Sequence, residues 1–137
     1  MSMKMRKLPD LDSLHDILNY NPETGVLKWK IRPRQYFNTE KTHAAWTARF
    51  AGKPAGTIFK YKRKDGIIEI PTVKIFGKLE YLSKYIVYKM YYEKEPEYGL
   101  VMKDDDPFNL KIANIVESDV PVEFMNRPKS GKYESPK

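Results

Sequence analysis

The sequence predicts an α+β fold: an N-terminal helix, a small antiparallel sheet and a central helix. Three observations carry that expectation. Residues 26–31 alternate apolar and polar side chains, and residues 57–62 and 67–76 form apolar-rich runs between Gly- and Pro-containing breaks, as strands do. The pairs Asp65-Gly66 and Gly77-Lys78 supply tight turns that close the strands into a meander. Between residues 80 and 95, Leu82, Ile86 and Met90 fall on one line at helical spacing.

The elements follow in order. Asp10, Asp12 and Ser13 precede Leu14, Ile17 and Leu18, which predicts a capped helix over residues 11–19. Residues 20–25, with Pro22 and Gly25, form a turn. A strand follows over residues 26–31 and ends before Pro33, with Lys28, Lys30 and Arg32 on one face and Leu27, Trp29 and Ile31 on the other. Residues 34–50 show no sustained period and are expected as a loop or a short helical turn. Strands are expected over residues 57–62 and 67–76, with Pro71 confining the second to an edge or a bulge. In the helix over residues 80–95, Tyr81, Tyr85, Tyr88 and Tyr92 flank the apolar line, Lys84 lies opposite it, and Lys89 interrupts it. Pro96 ends that helix. An extended stretch is expected over residues 98–103 and a short helix over residues 108–115. The domain is expected to span residues 10–123, with residues 1–9 as an extension and residues 124–137 as a disordered tail.

Composition narrows the function classes. With 137 residues, 41% of them hydrophobic, the chain has material for one modest core. The absence of Cys excludes disulfides and thiolate metal sites. No apolar run is long enough to span a bilayer, and the basic N-terminus lacks the core of a signal peptide, so no membrane partner is expected. The net charge of +7 is unevenly placed. Residues 28–94 hold 16 Lys and Arg against 5 Asp and Glu, whereas residues 95–123 hold 2 against 8. A basic body followed by an acidic segment points to a polyanion-facing surface. Its candidate residues are Lys28, Lys30, Arg32 and Arg34 on the first strand and its exit. Arg49, Lys53, Lys60, Lys62, Arg63 and Lys64 extend the set around the sheet.

Three blocks in order resemble small phage HNH homing endonucleases, over about residues 14–116. Leu18-Asn19-Tyr20-Asn21-Pro22-Glu23-Thr24-Gly25-Val26-Leu27-Lys28-Trp29-Lys30 is similar to the family's LxYxPxTGxxxWK opening. Trp46-Thr47-Ala48-Arg49-Phe50-Ala51-Gly52-Lys53-Pro54-Ala55-Gly56 is similar to its WNxRxAGxxAG element. The third block runs from Gly77 through Tyr81-Leu82-Ser83-Lys84-Tyr85 to Asn114-Ile115, where the family has GKxYxAHRLxW and then IDHxNGDxxDNRxxNL. The resemblance implies a remnant ββα-metal motif after the central helix.

The departures fall on the chemistry. Lys84 stands where the family's helix histidine would be, and Val101-Met102 where its Asp-His pair would be. Asn109-Leu110 replaces Asp-Asn, Lys111 replaces Arg, and Asp106 and Asn114 keep their identity. Such a nuclease uses a histidine base on water and a divalent metal at the leaving oxygen. Val101 and Met102 supply neither a base nor a hard ligand. His15 and His43 lie far from these positions in the sequence, and Asp104, Asp105 and Asp106 read better as a solvated turn than as a metal site. No cofactor, no metal and no catalytic residue are expected.

What the resemblance leaves is a nuclease surface without its chemistry. The expected protein is catalytically inactive, works in the cytoplasm of a bacterial host cell, and binds double-stranded DNA through the basic sheet surface, with Lys84 as an added phosphate-seeking group. The alternative is a phage inhibitor that occupies a host protein such as a polymerase, nuclease or defence complex. Tyr81, Tyr85, Tyr88, Tyr92 and Asp104, Asp105 and Asp106 would then form the contact.

Overall fold

The computed structural model describes residues 3–75 and 79–125, which form three helices and three small sheets. The α+β class holds, and the elements differ from expectation in instructive ways.

Asp10 caps α1 (Leu11–Ile17): its carboxylate accepts from the Ser13 amide at 3.1 Å and from the Ser13 hydroxyl at 2.9 Å. The helix turns Ser13, Leu14 and Ile17 into the core. It stops two residues early because Leu18 becomes extended and starts a hairpin, β2 (Leu18–Asn21) with β3 (Val26–Trp29). Asn21 builds the intervening turn by accepting from the amides of Glu23 (2.9 Å) and Thr24 (3.2 Å). Gly25 closes it at φ +78°. A Cβ there would lie 2.7 Å from the Lys111 amide nitrogen, so only glycine allows the turn to rest on the chain ahead of the last strand. The Tyr20 hydroxyl donates to the Leu110 carbonyl, and the Ile112 amide to Pro22 (3.1 Å). The first and third sequence blocks thus meet in space.

A full helix, α2 (Glu40–Phe50), occupies part of the stretch expected to be a loop or a short helical turn. Thr39 and Thr42 form a reciprocal capping box at its start. It contributes no buried residue, which is why no apolar period marks it. It is held instead by rings: Trp46 packs edge-on to Trp29 at 5.9 Å and against Phe37 at 6.1 Å. Beyond it, residues 52–55 return alongside β3, with Trp29 donating to Lys53 (3.0 Å) and Ala55 to Leu27 (2.7 Å).

The second sheet has the order β4-β5-β6, from β4 (Thr57–Arg63), β5 (Gly66–Ile75) and β6 (Leu79–Leu82). The turn expected at Gly77-Lys78 lies outside the described residues. Pro71 is in a central strand, and the register explains how. Arg63 faces Gly66 across a two-residue turn, and alternation from that closing pair aims the Pro71 nitrogen away from β4. On its other side β6 ends opposite Thr72, so no acceptor waits for the missing N–H.

The central helix α3 (Ser83–Tyr92) starts three residues later than expected, because residues 80–82 pair with β5. It ends at Glu93, which takes a left-handed φ of 61°, before Pro96 is reached. Tyr85, Ile86, Val87 and Met90 are buried with Leu14, Ile17, Leu18 and Val73 in the hydrophobic core. Lys89, the misfit on the apolar arc, donates to the Pro9 carbonyl at 2.8 Å and pairs with Glu95 at 3.4 Å. It buries its stem and satisfies its head.

The third sheet has the order β1-β8-β7. Strand β7 (Tyr98–Met102) pairs antiparallel with the long β8 (Ile115–Met125), whose far end pairs in parallel with β1 (Met3–Arg6). The expected extension therefore contributes a strand, and Leu8 reaches the core. The β7–β8 register shifts between Tyr98 and Leu100, with the extra residues on β8, and Glu117 there accepts from the amides of Glu97 and Tyr98, each at 2.9 Å. The short helix expected over residues 108–115 is only a 3-10 turn at Ile112–Asn114. Phe124 and Met125, placed in the tail, belong to β8, and the remainder of that tail lies outside the described residues. Among the described residues no helix is long and apolar enough to cross a membrane.

Candidate nucleic-acid interface

Two regions bear on function: the hairpin that would hold nuclease chemistry, and the surface that carries the basic residues.

Where the resemblance implies a ββα-metal motif, the structure has the antiparallel pair β7 and β8. No helix follows them among the described residues, since β8 runs extended to Met125. Met102 is buried, and Val101 points outward. Between the strands, residues 103–114 fold around Asn114. Its side chain accepts from the Asp104 amide (3.1 Å) and donates to the Asp104 carboxylate (2.9 Å) and the Asn109 carbonyl (2.9 Å). Asp104 also accepts from the Asn109 side chain (2.7 Å) and the Asp106 amide (2.9 Å). The Asn109 bond above all holds the Asp104 carboxyl below the usual carboxylate range. Asp106 accepts from the Phe108 amide at 3.0 Å, and Asp105 sits at a left-handed φ of 64°. These carboxylates shape a loop. Among the described residues no three His, Asp or Glu side chains gather to hold a metal ion.

Lys84 departs from its expected position. It is half-buried at the start of α3 and donates to the Leu100 carbonyl at 2.8 Å. It lines a cavity of about 60 Å³ with Ile70, Pro71, Leu82, Met102 and Pro107. Burial pushes its ammonium below the usual lysine range. An amine tied to the backbone among apolar side chains is poorly placed to meet a phosphate.

The other basic residues divide. The strand face expected to carry Lys28, Lys30 and Arg32 does not form, because β3 ends at Trp29 and leaves both Lys30 and Arg32 outside it. The Arg32 guanidinium lies between the rings of Trp46 (4.4 Å) and Trp29 (5.1 Å). Arg34 bonds the Phe37 carbonyl (2.8 Å), and Lys30 the His15 carbonyl (2.7 Å). Lys28, Arg49, Lys53, Lys60, Lys62, Arg63 and Lys64 are exposed. Four of these seven lie on one feature, the β4–β5 ribbon, which extends past the end of β6 with every residue of β4 exposed. Lys60 faces Glu69 across the ribbon at 3.9 Å.

The same ribbon carries two exposed rings that sequence reasoning left out, Phe59 and Tyr61. Their i, i+2 spacing was the available signal. It read as a half-buried strand because nothing in the sequence says that the core ends at Thr72. The tyrosines named for a partner surface fare differently: Tyr81, Tyr85 and Tyr88 are buried at 5%, 2% and 5% exposure, and only Tyr92 is exposed. Tyr85 accepts from the Leu100 amide (2.9 Å), and Tyr88 donates to Glu117 (3.0 Å).

Comparison with known proteins finds no matching family model, curated protein or solved structure.

Proposed function

We propose that this protein is a catalytically inactive, HNH-like nucleic-acid-binding protein whose contact surface is the β4–β5 ribbon. The observation that carries the reading is the ribbon itself. It extends beyond the body, is exposed along all of β4, and concentrates Lys60, Lys62, Arg63 and Lys64 near its tip. Clustered cations on an exposed ribbon bind polyanions by releasing counterions. Arg49, Lys53 and Lys28 add charge near the sheet's base. The lack of an acid-base pair at Val101-Met102 supports binding without cleavage.

The reading is tested by fluorescence anisotropy with labelled oligonucleotides over 50–300 mM salt, across which the Debye length falls from about 14 Å to about 6 Å. Salt-dependent binding at roughly micromolar concentration supports it, and no binding at low salt overturns it. A pull-down from nuclease-treated bacterial lysate separates it from the host-protein alternative. A stoichiometric protein partner together with negligible nucleic-acid affinity would favour that alternative.

A further inference from the structure

We infer that Phe59 and Tyr61 form a stacking platform for the bases of an unpaired strand, so that the ribbon selects single-stranded over duplex nucleic acid. The inference rests on the nucleic-acid reading above and goes on to name the form of the ligand.

Strand parity sorts the ribbon into two unlike faces. Thr57, Phe59, Tyr61 and Arg63 project to one side, opposite Thr72, Ile70, Ile68 and Gly66. Ile58, Lys60 and Lys62 project to the other, opposite Pro71, Glu69 and Ile67. The first face is therefore two rings backed by two isoleucines, with an arginine at the tip end. Phe59 is 44% exposed and Tyr61 36%, and their centroids are 5.9 Å apart. The core ends at Thr72, so no described element covers these rings.

Two aromatic side chains on one face of an exposed strand are costly to leave in water. A ligand that buries them must offer flat apolar surface, and the surrounding charge restricts what it is. Arg63 on the same face and Lys64 in the turn, with the exposed Lys62 on the opposite face, call for a polyanion. Glu69 and Asp65 are the acidic groups on the ribbon, and Glu69 is already paired with Lys60. A ligand with both flat rings and a phosphate backbone is a nucleic-acid strand. In a duplex the base faces are stacked on one another, and only their edges are offered in the grooves. In an unpaired strand the faces are free, and stacking on rings needs no particular sequence.

The test compares a fluorescein-labelled 15-nucleotide thymidine strand with its duplex on deoxyadenosine, using the full chain and two variants. Phe59→Ala/Tyr61→Ala should weaken single-strand binding by about tenfold or more per ring and leave duplex binding within twofold. Phe59→Tyr/Tyr61→Phe should retain single-strand affinity. Both changes lie on an exposed ribbon, and circular dichroism checks that each variant is folded. Equal weakening of both ligands, or none, overturns the stacking inference and leaves the basic ribbon as a duplex or charge-only binder. Failure of the unmodified chain to bind either ligand overturns the nucleic-acid reading and this inference with it.

Discussion

Replacing Trp46 with alanine should release α2 from the body without unfolding the core. Helix α2 contributes no buried residue, so its attachment depends on the ring cluster and on the 2.7 Å bond from His43 Nε2 to the Arg32 carbonyl. Phe50 lies on the same helix, packed on Trp46 at 5.3 Å. The tethers that Trp46 provides are its contacts with Trp29 and Phe37 and the Arg32 guanidinium 4.4 Å from its ring. Two aromatic pairs and one partly exposed cation–π contact sum to about 2–4 kcal/mol. An 11-residue helix is marginal alone in water, so release and melting should coincide. Hydrogen exchange followed by mass spectrometry is the assay. Amides of Glu40–Phe50 should exchange faster by roughly 30- to 1,000-fold, the range that 2–4 kcal/mol implies, while β5 and β7 keep their protection. Unchanged protection in α2 would show that the rings do not hold it. An equal loss in β5 and β7 would show that α2 is part of the core's cooperative unit.

Other expectations follow from single side chains. Asn114→Ala removes three side-chain hydrogen bonds and leaves the buried end of the loop unpaired, which should cost about 2–3 kcal/mol in urea unfolding. A change under about 0.5 kcal/mol would mean that the loop holds its shape without it. Gly25→Ala, which places a Cβ against the Lys111 backbone at φ +78°, should cost more than about 2 kcal/mol. Gly52→Ala, at φ +81° with nothing within 4 Å, should cost only about 1 kcal/mol. Equal costs would refute the role given to that backbone approach. Burial, reinforced by its bond to Glu117, pushes the Tyr88 phenol up to about 12 from 10.0. The raised value favours the protonated fold, so its contribution is complete below pH 10 and is lost as pH climbs toward 12. Denaturant midpoints between pH 9 and 12 should fall less steeply in Tyr88→Phe than in the unmodified chain, and parallel curves would contradict the assignment.

Much of the fold was legible where local chemistry and burial agree. The Asp10 cap, the Asn21–Gly25 turn and the Asp65-Gly66 hairpin each carry their own geometry in the sequence. Helix α2 was not legible because its face is exposed, and only the Thr39/Thr42 capping box marks it. Strand β8 was missed because its partners, β7 and β1, are set by tertiary pairing. The basic residues were identifiable by type but not by placement. Charge says nothing of whether a lysine reaches solvent, as Lys62 does, or a carbonyl, as Lys84 does. Tyr81, Tyr85 and Tyr88 point inward, while Tyr92 at the helix end stays exposed, because helical spacing at steps of three and four marks a core face before it marks a docking face.

The most direct test of the nucleic-acid reading is the salt dependence of binding for the unmodified chain and for Lys60→Ala/Lys62→Ala/Arg63→Ala/Lys64→Ala. With four phosphate contacts removed, the plot of log affinity against log salt should become shallower by about 3. The fold should be intact, since all four residues are exposed. An unchanged slope, with binding retained, would place the polyanion surface elsewhere on the molecule and contradict the role given to the ribbon.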